Sequence, residues 1–167
     1  MPNVLEPTDL SIRIAADAMR EGRAVAFPTE TVYGLGALTL DPRAIAEVYR
    51  LKWRPANNPL IAHVLDARGA RTVVEHWDPR CDELASRLWP GPLTLVLPRR
   101  AVVPAEAVGG RSTIAVRSPS HPVARRLLEE LGGASVSAPS ANRSGHVSPT
   151  VARHVAEIGR ASCRERV

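Results

Sequence analysis

The chain has 167 residues, about the length of one domain, and 44% of them are hydrophobic while 23% are charged. This composition excludes a mainly disordered chain, because enough apolar surface is available to bury. The sequence has neither the apolar run of about 18 residues that a membrane span needs nor the start of a signal peptide. Two cysteines are too few for a disulfide framework or a zinc site. We therefore expect a soluble, cytoplasmic protein with no membrane partner.

The net charge is +5, from 22 basic and 17 acidic residues, and Lys52 is the single lysine. A positive balance suits anionic partners such as nucleotides or RNA. An RNA-binding module without catalysis is therefore one alternative. Three Trp, two Tyr and one Phe leave few rings on which bases could stack, which weakens that alternative.

Candidate helices and strands alternate along the chain, which predicts an α/β domain. In chain order we predict a helix over 9–21, a strand over 24–27, a helix over 41–51, a strand over 60–65, two short helices between 67 and 88, strands over 93–97 and 113–117, a helix over 121–131, a strand over 134–137 and a last helix over 149–158. Asp41 and Pro42 form a capped helix start, and Gly132 and Gly133 end a helix.

Two polar loops, PTETVYGLG at residues 28–36 and SAPSANRSG at residues 137–145, each follow a predicted strand. In open α/β sheets ligands bind beyond the carboxyl ends of strands, so these loops are the first candidate sites. Their small polar side chains and backbone N–H groups suit a phosphate or a carboxylate. Both also have the composition of ordinary surface turns, and neither is a Walker loop.

A third candidate is the irregular segment KWRPANNP, which contains Lys52, Arg54 and Asn58. Two cations on a proline-stiffened segment could clamp a polyphosphate, since arginine offers a planar fork and lysine a point charge. The alternative is a solvated basic turn.

Arg117 ends the predicted strand TIAVR, at a position where a ligand carboxylate would lie, although it could instead form a salt bridge at the rim. His63 lies inside the apolar strand LIAHVL and could be an ordinary core residue. Glu30 is the one carboxylate in the first loop. The spacing of histidines and acidic residues indicates no metal centre.

Together the ordered segments FPTETVYGLG, KWRPANNPL with His63, WPGPLT, IAVRSP, SAPSANRSG and SPT resemble the YrdC/TsaC family over about residues 10–158. The resemblance implies an open, twisted mixed sheet flanked by helices, with a concave basic cavity. It implies a nucleotidyltransferase that makes threonylcarbamoyl-AMP and pyrophosphate from L-threonine, bicarbonate and ATP with Mg²⁺. The product would pass to transfer machinery that modifies tRNA, and direct binding of tRNA or double-stranded RNA is a further implied property.

The resemblance also implies roles for individual residues. The residues implied to bind threonine are Thr31, Tyr33, His63, Arg117 and Ser137. The residues implied to bind the nucleotide are Lys52, Arg54, Asn58, Thr113, Pro139, Ser140, Asn142 and Val147. Lys52 and Arg54 would also neutralise charge that develops on the phosphates during the reaction.

Residues 159–167 do not resemble the family and are expected to be a remnant of cloning or sequence assembly, with residues 1–158 forming the domain. Family members usually continue with further strands that add contacts to threonine and nucleotide. An inactive fragment is therefore a second alternative to a working synthase.

Overall fold

A computed structural model describes residues 4–156 of the chain. The helices are α1 (Asp9–Arg20), α2 (Pro42–Lys52), α3 (Ala67–Ala70), α4 (Pro79–Leu88) and α5 (Pro122–Glu130), and a short 3-10 helix spans Ala105–Val108. The strands are β1 (Val25–Pro28), β2 (Tyr33–Leu38), β3 (Ile61–His63), β4 (Thr94–Pro98), β5 (Thr113–Arg117) and β6 (Val136–Ala138). Residues 152–156 are also helical.

The helices begin where the sequence offers caps. The Thr8 side chain accepts from the backbone of Ser11 at the start of α1, and Asp41 accepts from Arg43 and Ala44 at the start of α2. The prediction of β5 is confirmed residue for residue, and the other predicted elements lie within a few residues of their observed bounds. The predicted end of the last helix and the proposed remnant at 159–167 lie outside the described residues.

One prediction about the first loop is wrong. Residues 33–36 belong to β2, which pairs with β1 as a hairpin rather than forming a loop. Glycines at positions 34 and 36 suggested a turn, but both lie in the strand. Glycine is used there because the side chains of β6 lie so close that little room is left for another side chain. The real loop is therefore only residues 29–32.

The six strands form one mixed sheet in the order β1-β2-β6-β3-β5-β4. Only β3 and β5 are parallel, and the other neighbours are antiparallel. Because β6 runs against β3 and β5, its carboxyl end lies at the same edge of the sheet as their amino ends. Strand β1 runs in the same direction as β6, so the two polar loops follow their strands at this same edge.

The two faces of the sheet are covered differently. Helix α2 and the 3-10 helix pack on one face, over a core that includes Ile45, Val48 and Val116. Helices α1 and α5 pack on the other face, but over β1, β2 and β6, with Met19 and Val136 in that core. Strands β3, β5 and β4 therefore carry, on this second face, a surface that α1 and α5 leave open.

Among the described residues, none of the helices is both long and apolar enough to cross a membrane. Cys81 is buried and is a free thiol.

Candidate active site

The open part of the sheet carries several of the predicted site residues side by side. Strand pairing places His63 opposite Arg117 and Ile61 opposite Ala115, so these four side chains share one face. Thr113 lies on the same face of β5 as Arg117, four residues away, or about 13 Å along the strand. Val96, which pairs with Ala115, is 65% exposed, so the middle of this face is accessible to a ligand, whereas His63 and Arg117 are buried.

At one end of this face, Arg117 is the centre of a small polar cluster. Its side chain is 9% exposed, and Nη2 lies 2.7 Å from Oε1 of Glu30. The two terminal nitrogens each lie 3.4 Å from the Thr31 hydroxyl, and Nε donates to the carbonyl of Gly91 at 3.4 Å. The loop of residues 29–32 must therefore fold back over the face of the sheet, because its own strands end at the opposite edge.

The Glu30 carboxylate is charged in this cluster. Burial alone would raise the pKa of Glu30, but the hydrogen bond and the positive charge of Arg117, with backbone groups of Glu30 and Ser120, hold that pKa below its ordinary value. The cluster therefore contains one cation and one anion in direct contact.

His63 lies beside this pair and is neutral. Burial, and then the charge of Arg117, lowers the pKa of the His63 imidazole to about 4. Its ring meets the ring of Phe27 edge-on, with centroids 5.9 Å apart. A neutral imidazole has one donor and one acceptor nitrogen, and Nδ1 has no hydrogen-bond partner.

Ser137 does not join these residues. It follows Val136, the residue paired with His63, so its side chain points to the opposite face of the sheet. There its hydroxyl donates to the Thr39 hydroxyl at 3.0 Å in a buried contact. The Ser137 hydroxyl therefore lies away from Arg117, and a contact between Ser137 and threonine stays a prediction.

The second group of predicted residues meets at the edge where β6 ends. Lys52, the last residue of α2, is 2% exposed, and its ammonium donates to the carbonyl oxygens of Ser140 and Asn142. The Lys52 carbonyl in turn accepts from the Ser144 backbone at 3.1 Å. Burial, and then the charge of Arg54, lowers the pKa of the Lys52 ammonium to about 8. The solvated basic turn considered for this segment does not fit such a buried ammonium.

Arg54 holds the segment that follows. Its Nε donates to the Asn58 carbonyl at 3.1 Å and its Nη2 to the Pro59 carbonyl at 3.0 Å. The Tyr49 hydroxyl also donates to the Asn58 carbonyl, at 2.9 Å. Because β3 and β5 are parallel with Ile61 beside Ala115, continuation of this register places Pro59 alongside Thr113. Arg54, Asn58 and Thr113 therefore lie at one edge of the sheet.

The loop after β6, residues 139–149, is fixed to the start of β2 and to itself. Leu35 donates to the Pro139 carbonyl, Ala141 to the Tyr33 carbonyl, and Tyr33 to the Pro149 carbonyl, at 3.0, 2.7 and 2.9 Å. The Asn142 amide donates to the carbonyls of Arg143 and His146. Val147, at 92% exposed, lies at the tip of this loop. The loop after β6 and the start of β2 therefore form one connected rim at this edge.

Sequence reasoning missed one contact of this rim and the partner of Arg117. Trp53 has a left-handed backbone, with φ of 52°, which is rare for a bulky residue. Its indole lies under the guanidinium of Arg143, 4.8 Å from the ring centroid, which joins the Lys52 segment to the loop after β6. Arg117 forms the salt bridge that was considered as its alternative role, and sequence reasoning missed only the partner, Glu30, which is the sole carboxylate of its loop.

Within residues 4–156 no group of three or more His, Cys, Asp or Glu side chains is placed to hold a metal ion. The candidate site consists of cations, one carboxylate, a neutral imidazole, backbone carbonyls and hydroxyls. Such a set can hold an anionic substrate, and it offers no covalent nucleophile in the contacts described above.

Comparison with known proteins matches this geometry to a family. The family model Sua5/YciO/YrdC, which carries the description "Telomere recombination", matches residues 17–163. A threonylcarbamoyl-AMP synthase of Halorhodospira halophila is 40% identical over 149 residues, which cover 89% of this chain and 76% of that protein. A threonylcarbamoyl-AMP synthase of Pyrococcus abyssi is 51% identical over 154 residues, 91% of this chain and 45% of that protein.

The crystal structure of P. abyssi Sua5 complexed with L-threonine superposes with a TM-score of 0.86 at 49% identity. The match covers 93% of this chain and 45% of that one. The chain thus spans less than half the length of the P. abyssi protein. It belongs to the Sua5/YciO/YrdC family.

Proposed function

We propose that this chain is a threonylcarbamoyl-AMP synthase domain that joins L-threonine, bicarbonate and ATP. The observation that carries the proposal is the open face of β5, with Thr113 at one end and Arg117 at the other, about 13 Å apart. That separation allows two substrates to bind at opposite ends of one face. The naming of the relatives in Halorhodospira halophila and Pyrococcus abyssi supports the same reaction.

In this proposal the two ends of the face bind different parts of the substrates. Arg117 binds the threonine carboxylate, and Thr31, His63 and the start of β2 at Tyr33 surround the rest of the amino acid. The nucleotide lies on the rim, and the residues proposed to hold it are Lys52, Arg54, Asn58, Thr113, Pro139, Ser140, Asn142 and the backbone near Val147. The Ser137 hydroxyl is left out, since it bonds to Thr39 on the other face.

The reaction needs positioning and charge neutralisation. The threonine ammonium first releases a proton to water, and the neutral amine attacks bicarbonate to give a carbamate and water. A carbamate oxygen then attacks the α-phosphorus of ATP and releases pyrophosphate. Lys52 and Arg54 stabilise the negative charge that develops on the phosphates. Mg²⁺ enters with ATP on the phosphate oxygens as part of that substrate. The product is the activated form needed for a carbamoyl transfer to tRNA adenosine, and we place this step in the cytoplasm.

The test is pyrophosphate release by the purified chain with ATP, Mg²⁺ and bicarbonate, with and without L-threonine, with the adenylate detected by mass. We expect release that depends on threonine and yields threonylcarbamoyl-AMP. A folded chain that releases no pyrophosphate but binds RNA in a salt-dependent way would overturn the proposal in favour of a binding module. A folded chain with neither property would indicate an inactive fragment.

A further inference from the structure

The Glu30–Arg117 pair is shielded from water to an unusual degree for a loop contact. The Arg117 side chain is 9% exposed and the Glu30 side chain 19%, whereas the partners of the other ion pairs described here are about 35% to 86% exposed. An ion pair that only stabilises the fold has no reason to lie at a particular place on the molecule. Within residues 4–156, this one lies on the part of its sheet face that α1 and α5 leave open.

The same place holds a buried polar atom without a partner and a carboxylate that can accept more hydrogen bonds. Nδ1 of His63 is buried and has no hydrogen-bond partner, which is rare in folded proteins. The Glu30 carboxylate meets Arg117 at 2.7 Å through Oε1, and a carboxylate has about four lone-pair sites, so it can also accept from a ligand. An ammonium group has three donors and no acceptor, which fits this carboxylate.

We propose that Glu30 binds the α-ammonium group of the amino-acid substrate while Arg117 binds its carboxylate. The inference rests on the proposed function, which supplies an amino acid at this site. An amino acid is a zwitterion whose two charged groups are bonded to the same carbon, and Glu30 and Arg117 present the two opposite charges in contact. In the free protein each neutralises the other, and on binding the one internal pair is exchanged for two pairs with the ligand.

This arrangement gives the site a selectivity that Arg117 alone would lack. An arginine by itself binds any carboxylate, including hydroxy acids. The Glu30 carboxylate next to the ligand's α-carbon favours a ligand with an ammonium group on that carbon. A ligand with a neutral hydroxyl on that carbon is disfavoured, because the Glu30 charge would remain unpaired. Glu30 therefore acts as a specificity-determining binding residue for α-amino acids.

The experiment measures binding by calorimetry for the wild-type chain and Glu30→Gln, which removes the charge and keeps the size. The probes are L-threonine and the threonine analogue in which a hydroxyl of matching stereochemistry replaces the amino group. Glu83→Gln is the matched control, since Glu83 pairs with Arg87 at 2.9 Å on the exposed side of α4. We expect Glu30→Gln to weaken threonine binding about tenfold or more and to leave the hydroxy analogue as tight or tighter, with Glu83→Gln unchanged. Glu30→Asp, which keeps the charge, should keep the preference for threonine.

The outcomes separate this inference from the proposed function. If the wild-type chain binds no threonine, the proposed function fails and the inference with it. If the wild-type chain binds threonine but Glu30→Gln keeps the preference, or loses both ligands equally while ATP affinity holds, only the role of Glu30 is overturned. The role of Glu30 would also be overturned if Glu30→Gln lost affinity for ATP and Glu30→Asp lost the preference for threonine. Glu30 would then be a residue that maintains the fold rather than one that binds the ligand.

Discussion

The ammonium of Lys52 donates to the carbonyl oxygen of Ser140, which fastens the end of α2 to the loop after β6. A second carbonyl, that of Asn142, accepts from the same ammonium. One lysine therefore shapes the rim on which we place the nucleotide and also brings a charge to it. Lys52 therefore has a structural role in this loop and a proposed role in binding the nucleotide.

We expect Lys52→Ala to lower turnover roughly 100-fold, because it removes both a phosphate cation and the donor for two carbonyls. It should also lower the free energy of unfolding by about 1–3 kcal/mol, since the carbonyls lose their buried partner. The measurements are pyrophosphate release and urea unfolding. Arg43→Ala, on the exposed face of the same helix, is the control and should leave both unchanged. Full activity in Lys52→Ala would remove this residue from the site.

Nucleotide affinity should depend on pH through Lys52. The pKa of its ammonium is lowered to about 8, so the free protein loses this charge as pH rises from about 7 to 9. ATP prefers the charged form, and its affinity should therefore fall over that range. Binding of ATP measured at several pH values tests this, and Lys52→Arg, which stays charged, should flatten the profile. An equally steep fall in Lys52→Arg would assign the titration to another group.

The sequence predicted the local elements well because caps, prolines and glycine pairs mark their ends in one or two residues. It failed for β2, where glycines at positions 34 and 36 suggested a turn although β6 demands them for close packing. It also could not place Ser137, since the face on which a strand residue lies depends on the register with β2 and β3. The pairing of Glu30 with Arg117 joins distant parts of the chain, and no local pattern encodes such a contact.

His63 should make the stability of the protein depend on pH in the acid range. Its pKa is about 4 in the folded chain and about 6.5 in an unfolded one, so the unfolded state binds the proton first as pH falls. The free energy of unfolding should therefore decrease from pH 6.5 to 4, by up to about 1.4 kcal/mol per pH unit. Urea unfolding at several pH values measures this slope. His63→Gln should reduce it, and the exposed His76→Gln should not; equal slopes in all three proteins would contradict the assignment.

Gly36 is the position where the sheet tolerates no side chain. A Cβ there would lie 2.8 Å from the Cβ of Ala138 and 2.9 Å from Cγ1 of Val136, both closer than real carbon contacts allow. Gly36→Ala should therefore lower the free energy of unfolding by about 1–3 kcal/mol, because β2 must move away from β6. Gly34→Ala is the matched control on the same strand, since its nearest contact would be 3.4 Å from Ala138. Urea unfolding of the two variants gives the comparison, and a loss as large in Gly34→Ala as in Gly36→Ala would show that the close packing at Gly36 is not the cause.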